Sequence, residues 1–180
     1  MNSNESKRTG LERIKEEYRD LSLNPITNIG TIVNLPDQNN YYEWIFTLLG
    51  PKDTSYAGGL FILKIKFPKD YPQKPPQIYF ITPVYHLNVN PKVPQSELDN
   101  PLGYVSISTL NWWKPDYTIR EVITNIFALF YMQNPDSCFS LEQANEFRNN
   151  RKVYEEKVIF FTKKYATHQS QTGIFLFLKK

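Results

Sequence analysis

The chain has 180 residues, of which 41% are apolar and 22% are charged, and this balance is typical of one folded globular domain. The net charge of +3 is too small to indicate nucleic-acid binding by itself. A single cysteine, Cys138, excludes an intramolecular disulfide, and one cysteine with two histidines argues against a structural zinc site.

The first predicted element is a helix that follows a polar, flexible N-terminus of residues 1–8. Thr9 and Glu12 form a capping-box pattern at its start, and Asn24 and Pro25 predict its end. Apolar residues recur at helical spacing between these signals, at Leu11, Ile14, Tyr18 and Leu21. Because the first ten residues lack the apolar region of a signal peptide, we expect a cytoplasmic or nuclear protein.

Three strands are predicted next. Residues 42–48 alternate between large apolar side chains and other residues, which predicts a strand with one buried face. Residues 61–67 repeat the pattern, and residues 77–81 predict a short strand after a proline-rich loop. Glycine-containing turns separate the first two strands, so the close spacing predicts an antiparallel meander.

Residues 82–117 show no clear periodicity and contain five prolines. Irregular stretches of this length are uncommon in compact domains and are often functional. We therefore expect the chemistry of the protein in this segment.

Three helices are predicted in the last third of the chain. Thr118 and Glu121 form a second capping box before a wide apolar stripe, and Ser140 caps a short helix. A last helix is indicated by Tyr154, Val158, Phe161 and Tyr165. The order of helix, strands, loop and helices is an α+β pattern, which we assign to one core domain of residues 9–166 with a tail of residues 167–180.

Five motifs in this order resemble those of the ubiquitin-conjugating enzyme (UBC) family, over about residues 11–166. Residues 44–59 (WIFTLLGPKDTSYAGG) resemble the second-strand pattern of the family, and residues 67–76 (FPKDYPQKPP) resemble its proline-rich loop. The other three are a counterpart of the His-Pro-Asn motif at residues 85–88, a Trp-x-Pro-x-x-Thr helix entry at residues 113–118, and an Asn-Pro-Asp loop at residues 134–136.

The resemblance implies the UBC fold, in which an N-terminal helix precedes a four-stranded antiparallel meander and C-terminal helices. It also implies acyl transfer, in which a cysteine carries ubiquitin or a related modifier as a thioester before the modifier passes to a lysine. The implied partners are the modifier, an activating enzyme, and a ubiquitin ligase or a partner conjugating enzyme. No cofactor, metal, nucleic acid or membrane span is implied.

The segment that carries the family's cysteine has serine instead, because residues 103–107 read GYVSI and place Ser106 at the nucleophile position. A free thiol has a pKa near ~8.5, so a few per cent is thiolate at neutral pH, whereas a serine hydroxyl needs an adjacent base to attack. The candidate bases are His86 and His168, and nothing in the sequence pairs either with Ser106. His86 resembles the motif histidine, which has a structural role in the family.

Three interpretations of Ser106 stay open. The protein is a catalytically impaired family member that acts as a scaffold or cofactor, a conjugating enzyme seen as a Cys→Ser form, or an enzyme that charges Cys138. Cys138 lies two residues after Asp136, in a loop that borders the active site in the family. We favour a packing role for Cys138 over a nucleophilic one, because isolated cysteines usually pack.

Two further residues match site positions of the family. Asn88 corresponds to the asparagine that supports the active-site loop and the oxyanion, and an amide NH₂ supplies the donor that such a role requires. Ser137 falls where many members carry an acidic residue that orients the incoming lysine, a task that a hydroxyl cannot perform. Leu87 replaces the motif proline, which removes a fixed φ angle.

The family's partner surface corresponds to the first helix and two loops. The matching residues for the activating enzyme or ligase are Arg13, Lys15, Gln73, Lys74, Trp113, Lys114, Pro115 and Tyr117. Gln73 replaces an aromatic ligase anchor, so we expect weakened ligase binding. An insertion at residues 91–102 is expected to be a solvated loop, and the apolar run at residues 174–178 is too short to span a membrane.

Overall fold

The computed structural model describes residues 9–27, 29, 33–34, 40–91 and 103–167. The N-terminal residues 1–8, the insertion beyond Pro91 and the tail from His168 onwards lie outside the described residues. The predictions made for these segments are therefore not tested by the fold.

A four-stranded antiparallel sheet forms the centre of the described chain. Its strands are β1 (Val33–Asn34), β2 (Glu43–Leu49), β3 (Leu60–Lys66) and β4 (Gln77–Phe80), and they neighbour each other in chain order. The register aligns Phe46 with Leu63 and Leu63 with Phe80, so the three long strands share one apolar face. This confirms the predicted α+β fold and its meander.

Five helices are described: α1 (Gly10–Leu23), α2 (Ser108–Asn111), α3 (Ile119–Leu129), α4 (Leu141–Asn149) and α5 (Arg151–Tyr165). Both predicted capping boxes form, at Thr9 with Glu12 and at Thr118 with Glu121, because each pair satisfies two backbone N–H groups locally. Ser140 caps α4 through the N–H of Gln143. In the part of the chain that the structure describes, no helix is long and apolar enough to cross a bilayer.

The hydrophobic core lies between one face of the sheet and the helices. Alternate residues of β2 and β3 point into it, and each helix contributes buried side chains on the same side. Its members include Trp44, Phe46, Phe61, Leu63, Ile14, Val122, Ile126 and Tyr154. Burial of these aromatic and aliphatic groups is the main term that stabilises the domain.

The prediction that β2 buries one face only was wrong. Ile45 and Thr47 lie on the face opposite the core, yet both are buried, and so is Ile62 of β3 beside Thr47. An alternating pattern identifies the strand face that packs on the core, but it does not show whether the opposite face is also buried.

The irregular segment after β4 pairs with β4 and with itself on the C-terminal side of the insertion. Backbone bridges pair Tyr79 with Tyr104 and Val89 with Val105. Gly103 has a φ of 78°, and a Cβ at this position would lie 2.1 Å from the carbonyl oxygen of Phe80. Only glycine fits this position, which directs the chain from the insertion back towards residue 88.

Candidate functional site

Ser106 lies at the end of the segment that pairs with Val89, immediately before α2. Its backbone N–H donates to the carbonyl oxygen of Asn88 at 2.9 Å, and its side chain is half-buried. Asn111 Nδ2 donates to Ser106 Oγ at 3.2 Å. An amide NH₂ is a donor and cannot remove a proton, so this contact orients the hydroxyl without activating it.

His86 is buried and is engaged at both ring nitrogens. Its Nδ1 accepts from the backbone N–H of Asn88 at 3.0 Å, and its Nε2 lies 3.1 Å from the carbonyl oxygen of Leu129. Burial lowers the pKa of His86 from 6.5 to about 4, against a smaller upward effect of the Leu129 carbonyl. The imidazole is therefore neutral at physiological pH, and its acceptor nitrogen is occupied by a backbone donor.

Asn88 connects the Ser106 segment to the loop of residues 134–137. Its Nδ2 donates to the carbonyl oxygens of Asn134 at 3.0 Å and Ser137 at 2.9 Å, and its Oδ1 accepts from the backbone N–H of Asn134 at 3.0 Å. Both amide hydrogens are used in these contacts. The geometry serves loop support directly, whereas donation to an oxyanion requires that Asn88 release one of the two carbonyls.

Ser137, which aligns with the family residue that orients the incoming lysine, lies in a 3₁₀ turn at Pro135–Ser137. Asn134 Oδ1 accepts from the N–H of Asp136, and the Asp136 carboxylate pairs with Arg148 of α4. The side chain of Ser137 is exposed, and Cys138 is half-buried and packs against the core. These contacts fix the conformation of the loop and involve no reacting group. The roles assigned to Ser137 and Cys138 therefore remain predictions.

Trp113 joins the two loops of the predicted partner surface. Its Nε1 donates to the carbonyl oxygen of Pro72 at 2.7 Å, and its ring lies 5.9 Å from the rings of both Tyr71 and Tyr117, centroid to centroid. Trp113 and Tyr117 are half-buried, so part of each ring packs within the domain and only the rest can contact a partner. The exposed members of the predicted surface here are Gln73, Lys74, Lys114 and Pro115.

The two basic residues of α1 differ in their availability. The Arg13 guanidinium pairs with Glu17 at 2.5 Å, and its Nη2 lies 3.4 Å from the carbonyl oxygen of Tyr117. Lys15 is exposed, with its ammonium 5.1 Å from the centre of the Tyr41 ring. Lys15 is therefore the better placed of the two to meet a partner.

Sequence reasoning missed two exposed residues of the segment that follows Ser106. Asn111 contacts Ser106 Oγ because the four-residue helix α2 brings it back, and so short a helix leaves no periodic signal. Trp112 is 79% exposed next to the half-buried Trp113. Trp112 follows α2 directly, and so short a helix gives no periodic signal for its exposure.

Comparison with known proteins agrees with this arrangement. Residues 13–162 match the family model described as ubiquitin-conjugating enzyme. The chain is also 35% identical, over 159 residues, to a probable ubiquitin-conjugating enzyme E2 31 of Arabidopsis thaliana, and the match covers 87% of this chain and 94% of that relative. With this fold, these motifs and these matches, the chain belongs to the ubiquitin-conjugating enzyme family.

Proposed function

We propose that this protein is a non-charging member of its family, which binds proteins of a ubiquitin or ubiquitin-like pathway as a scaffold or cofactor. The observation that carries the proposal is the environment of Ser106 Oγ. In the described part of the chain, its side-chain hydrogen bond comes from the amide of Asn111, which is not a base. The histidine nearest in sequence, His86, is buried and neutral and accepts from Asn88.

Acyl exchange at this position requires that the nucleophile attack the thioester between the modifier and the activating enzyme. The new acyl bond forms as the thiolate of the activating enzyme leaves, and the proton of the nucleophile must go to a base. A serine hydroxyl without such a base reacts poorly. An oxyester, once formed, is also a weaker acyl donor to a lysine amine than a thioester.

The rest of the family's site architecture supports partner binding. The Asn88 contacts hold the loop of residues 134–137, and Trp113 holds the proline-rich loop against the segment after α2. Lys15, Lys114 and Pro115 remain exposed on the side that the family uses for its partners. We therefore propose the modifier, an activating enzyme, and a ligase or a partner conjugating enzyme as binding partners.

The alternative is a conjugating enzyme that forms an ester at Ser106 or a thioester at Cys138. The intact contacts of Asn88 and the two C-terminal helices favour this alternative, because both are features of the complete family domain. The two functions differ in one observable, which is a covalent adduct with the modifier.

A charging assay separates these functions. The native chain is incubated with activating enzyme, ATP and ubiquitin or a related modifier, without reductant, and binding of each partner is measured in parallel by calorimetry. The proposal predicts binding without an adduct. A reductant-sensitive adduct that is lost in Cys138→Ser, or a reductant-resistant adduct that is cleaved by alkali, supports the alternative. The absence of both binding and adduct overturns the scaffold proposal.

A further inference from the structure

The segment that carries Asn88 forms a tight turn without the motif proline. The backbone N–H of Val89 donates to the carbonyl oxygen of His86 at 3.2 Å, so Leu87 and Asn88 are the central residues of a β-turn. Proline is favoured at the first central position of the common turn types, because its ring fixes φ near the value that they require. Leucine at this position leaves φ free and adds a backbone N–H that proline lacks. Other contacts must therefore hold the turn.

Two buried tyrosines contact this turn and the residue before it. Tyr56 is 1% exposed, and its hydroxyl donates to the carbonyl oxygen of Tyr85 at 2.9 Å. Tyr154 is fully buried, and its ring lies 5.3 Å from that of Tyr85, centroid to centroid. Burial raises the pKa of the Tyr154 hydroxyl to about 12, whereas the backbone N–H of Leu87 lowers it. The extra N–H of Leu87 is therefore directed at the Tyr154 oxygen.

The side chain of Gln133 binds the hydroxyl groups of both tyrosines. Its Nε2 donates to the Tyr56 oxygen at 3.2 Å, and its Oε1 accepts from the Tyr154 hydroxyl. One amide thus fixes two hydroxyls that contact the chain on either side of His86. Because buried hydrogen bonds that share members strengthen one another, this network is more rigid than separate contacts would be.

Gln133 also directly precedes the loop on the opposite side of the site. The next residue, Asn134, donates its backbone N–H to Asn88 Oδ1 and accepts from Asn88 Nδ2, each at 3.0 Å. The turn and the loop are thus joined at two places, through the Asn88 side chain and through the Gln133 side chain. The carbonyl oxygen of Asn88 accepts from the backbone N–H of Ser106 at 2.9 Å, so the position of the turn also sets that of Ser106.

We propose that Gln133 is a positioning residue, which holds the turn of residues 86–89 through Tyr56 and Tyr154 in place of the missing proline. The network then keeps Asn88 and Ser106 in one arrangement relative to the loop of residues 134–137. This inference concerns the geometry of the site, and it goes beyond the proposed function because it holds whether or not the native chain is charged.

Hydrogen exchange of the full-length chain tests the proposal. The four proteins are the native chain, Gln133→Met, Leu87→Pro and the double variant, and each amide is compared with that of Leu63 in β3. Gln133→Met is expected to lower the protection factors of the Val89 and Ser106 amides about tenfold, because the hydroxyls that hold the turn lose their common partner. In the Leu87→Pro background, where the proline ring fixes φ, the same change should lower them less than about twofold.

A second variant tests the tyrosine contact without relying on Leu87→Pro. Tyr154→Phe removes only the oxygen at which the Leu87 N–H is directed, so the Leu87 amide should exchange about tenfold faster. Tyr71→Phe is the matched control, because it removes a buried tyrosine hydroxyl that donates to Glu17 of α1 instead, at 2.7 Å. It should leave the Leu87, Val89 and Ser106 amides unchanged relative to Leu63.

Charging of the Ser106→Cys protein measures the consequence for the chemistry of the site. At saturating activating enzyme, Gln133→Met should slow this charging about threefold or more, since misplaced reacting groups lose rate, and Leu87→Pro should restore most of the rate. Exchange is measured without any adduct, so a failure of the positioning role is distinguishable from a failure of the proposed function.

Three results would overturn the proposal. In the first, Gln133→Met leaves the Val89 and Ser106 amides as protected as they are in the native chain. In the second, it lowers their protection equally in the Leu87 and Leu87→Pro backgrounds, which indicates a general loss of stability. In the third, Tyr71→Phe produces the same loss relative to Leu63.

Discussion

Asn88 is the residue on which the geometry of the site most depends. Its side chain is 1% exposed and makes three hydrogen bonds to the backbone of the loop at residues 134–137. Its own backbone carbonyl also accepts from Ser106. Asn88 thus fixes the position of Ser106 relative to the loop of residues 134–137, and this structural role does not depend on catalysis.

Asn88→Ala is expected to lower the free energy of unfolding by about 2–4 kcal/mol, because it removes three contacts and leaves buried partners unpaired. Urea denaturation measures the loss. Asn111→Ala, which removes only the exposed contact to Ser106 Oγ, is the control and should cost less than about 0.5 kcal/mol. Equal losses in the two variants would show that Asn88 does not hold the loop.

His86 predicts a pH dependence of stability. Its pKa is lowered to about 4 in the folded protein, chiefly by burial, and is near 6.5 when unfolded. The unfolded state therefore binds the proton first as the pH falls, so stability is full above pH 6.5 and declines towards pH 4. The whole effect of this group is about 3 kcal/mol, since each pKa unit corresponds to ~1.36 kcal/mol.

Urea denaturation between pH 7 and pH 5 measures this decline above the range in which ordinary carboxylates titrate. His86→Gln should remove most of the slope. The NMR signal of the His86 ring in the native chain should show a neutral imidazole down to pH 5. A His86 ring that titrates near pH 6.5 would contradict the predicted shift.

At the scale of elements, Glu17 joins α1 to α3. Its Oε2 accepts from the backbone N–H of Ile119, the first residue of α3, at 2.6 Å, and its Oε1 accepts from the Tyr71 hydroxyl at 2.7 Å. Arg13 completes the group on the same carboxylate. The carboxylate thus satisfies one of the free N–H groups at the start of α3 and interacts favourably with the helix dipole.

Glu17→Ala is expected to destabilise the fold by about 3 kcal/mol, because a buried N–H, a buried hydroxyl and the Arg13 charge lose their partner together. Thermal or urea unfolding checks this value. Glu16→Ala, one position earlier at an exposed site on the same helix, is the matched control with an expected cost within about 0.5 kcal/mol. If Glu17→Ala lowers the free energy of unfolding no more than the control does, Glu17 does not join the two helices.

The elements that the sequence predicted well are those with local signals. The capping residues Thr9, Thr118 and Ser140 mark the starts of α1, α3 and α4, because a cap and its partner lie three residues apart. The two-residue β1 and the four-residue α2 carry no periodic signal of their own. The resemblance implied a fourth strand, while α2, which places Asn111 on Ser106, was missed.

At the scale of the whole molecule, the motif order located the site but not its contacts. Asn88 and Ser106 are named by their motifs, whereas the use of both Asn88 amide hydrogens depends on the loop 46 residues later. The burial of Ile45 and Ile62 likewise depends on a cover that strand alternation cannot reveal. Sequence patterns predict which face of a helix or strand is apolar. They do not predict contacts between segments that are distant in the chain, which are known only from the three-dimensional structure.

Ser106 is, in our proposal, the residue that keeps the site from being charged. The most direct test compares the native chain with Ser106→Cys in one charging reaction with activating enzyme, ATP and ubiquitin, followed by intact-mass measurement without reductant. We expect a reductant-sensitive adduct on Ser106→Cys and none on the native chain. An adduct on the native chain, or no adduct on either protein with any modifier tried, would contradict this proposal.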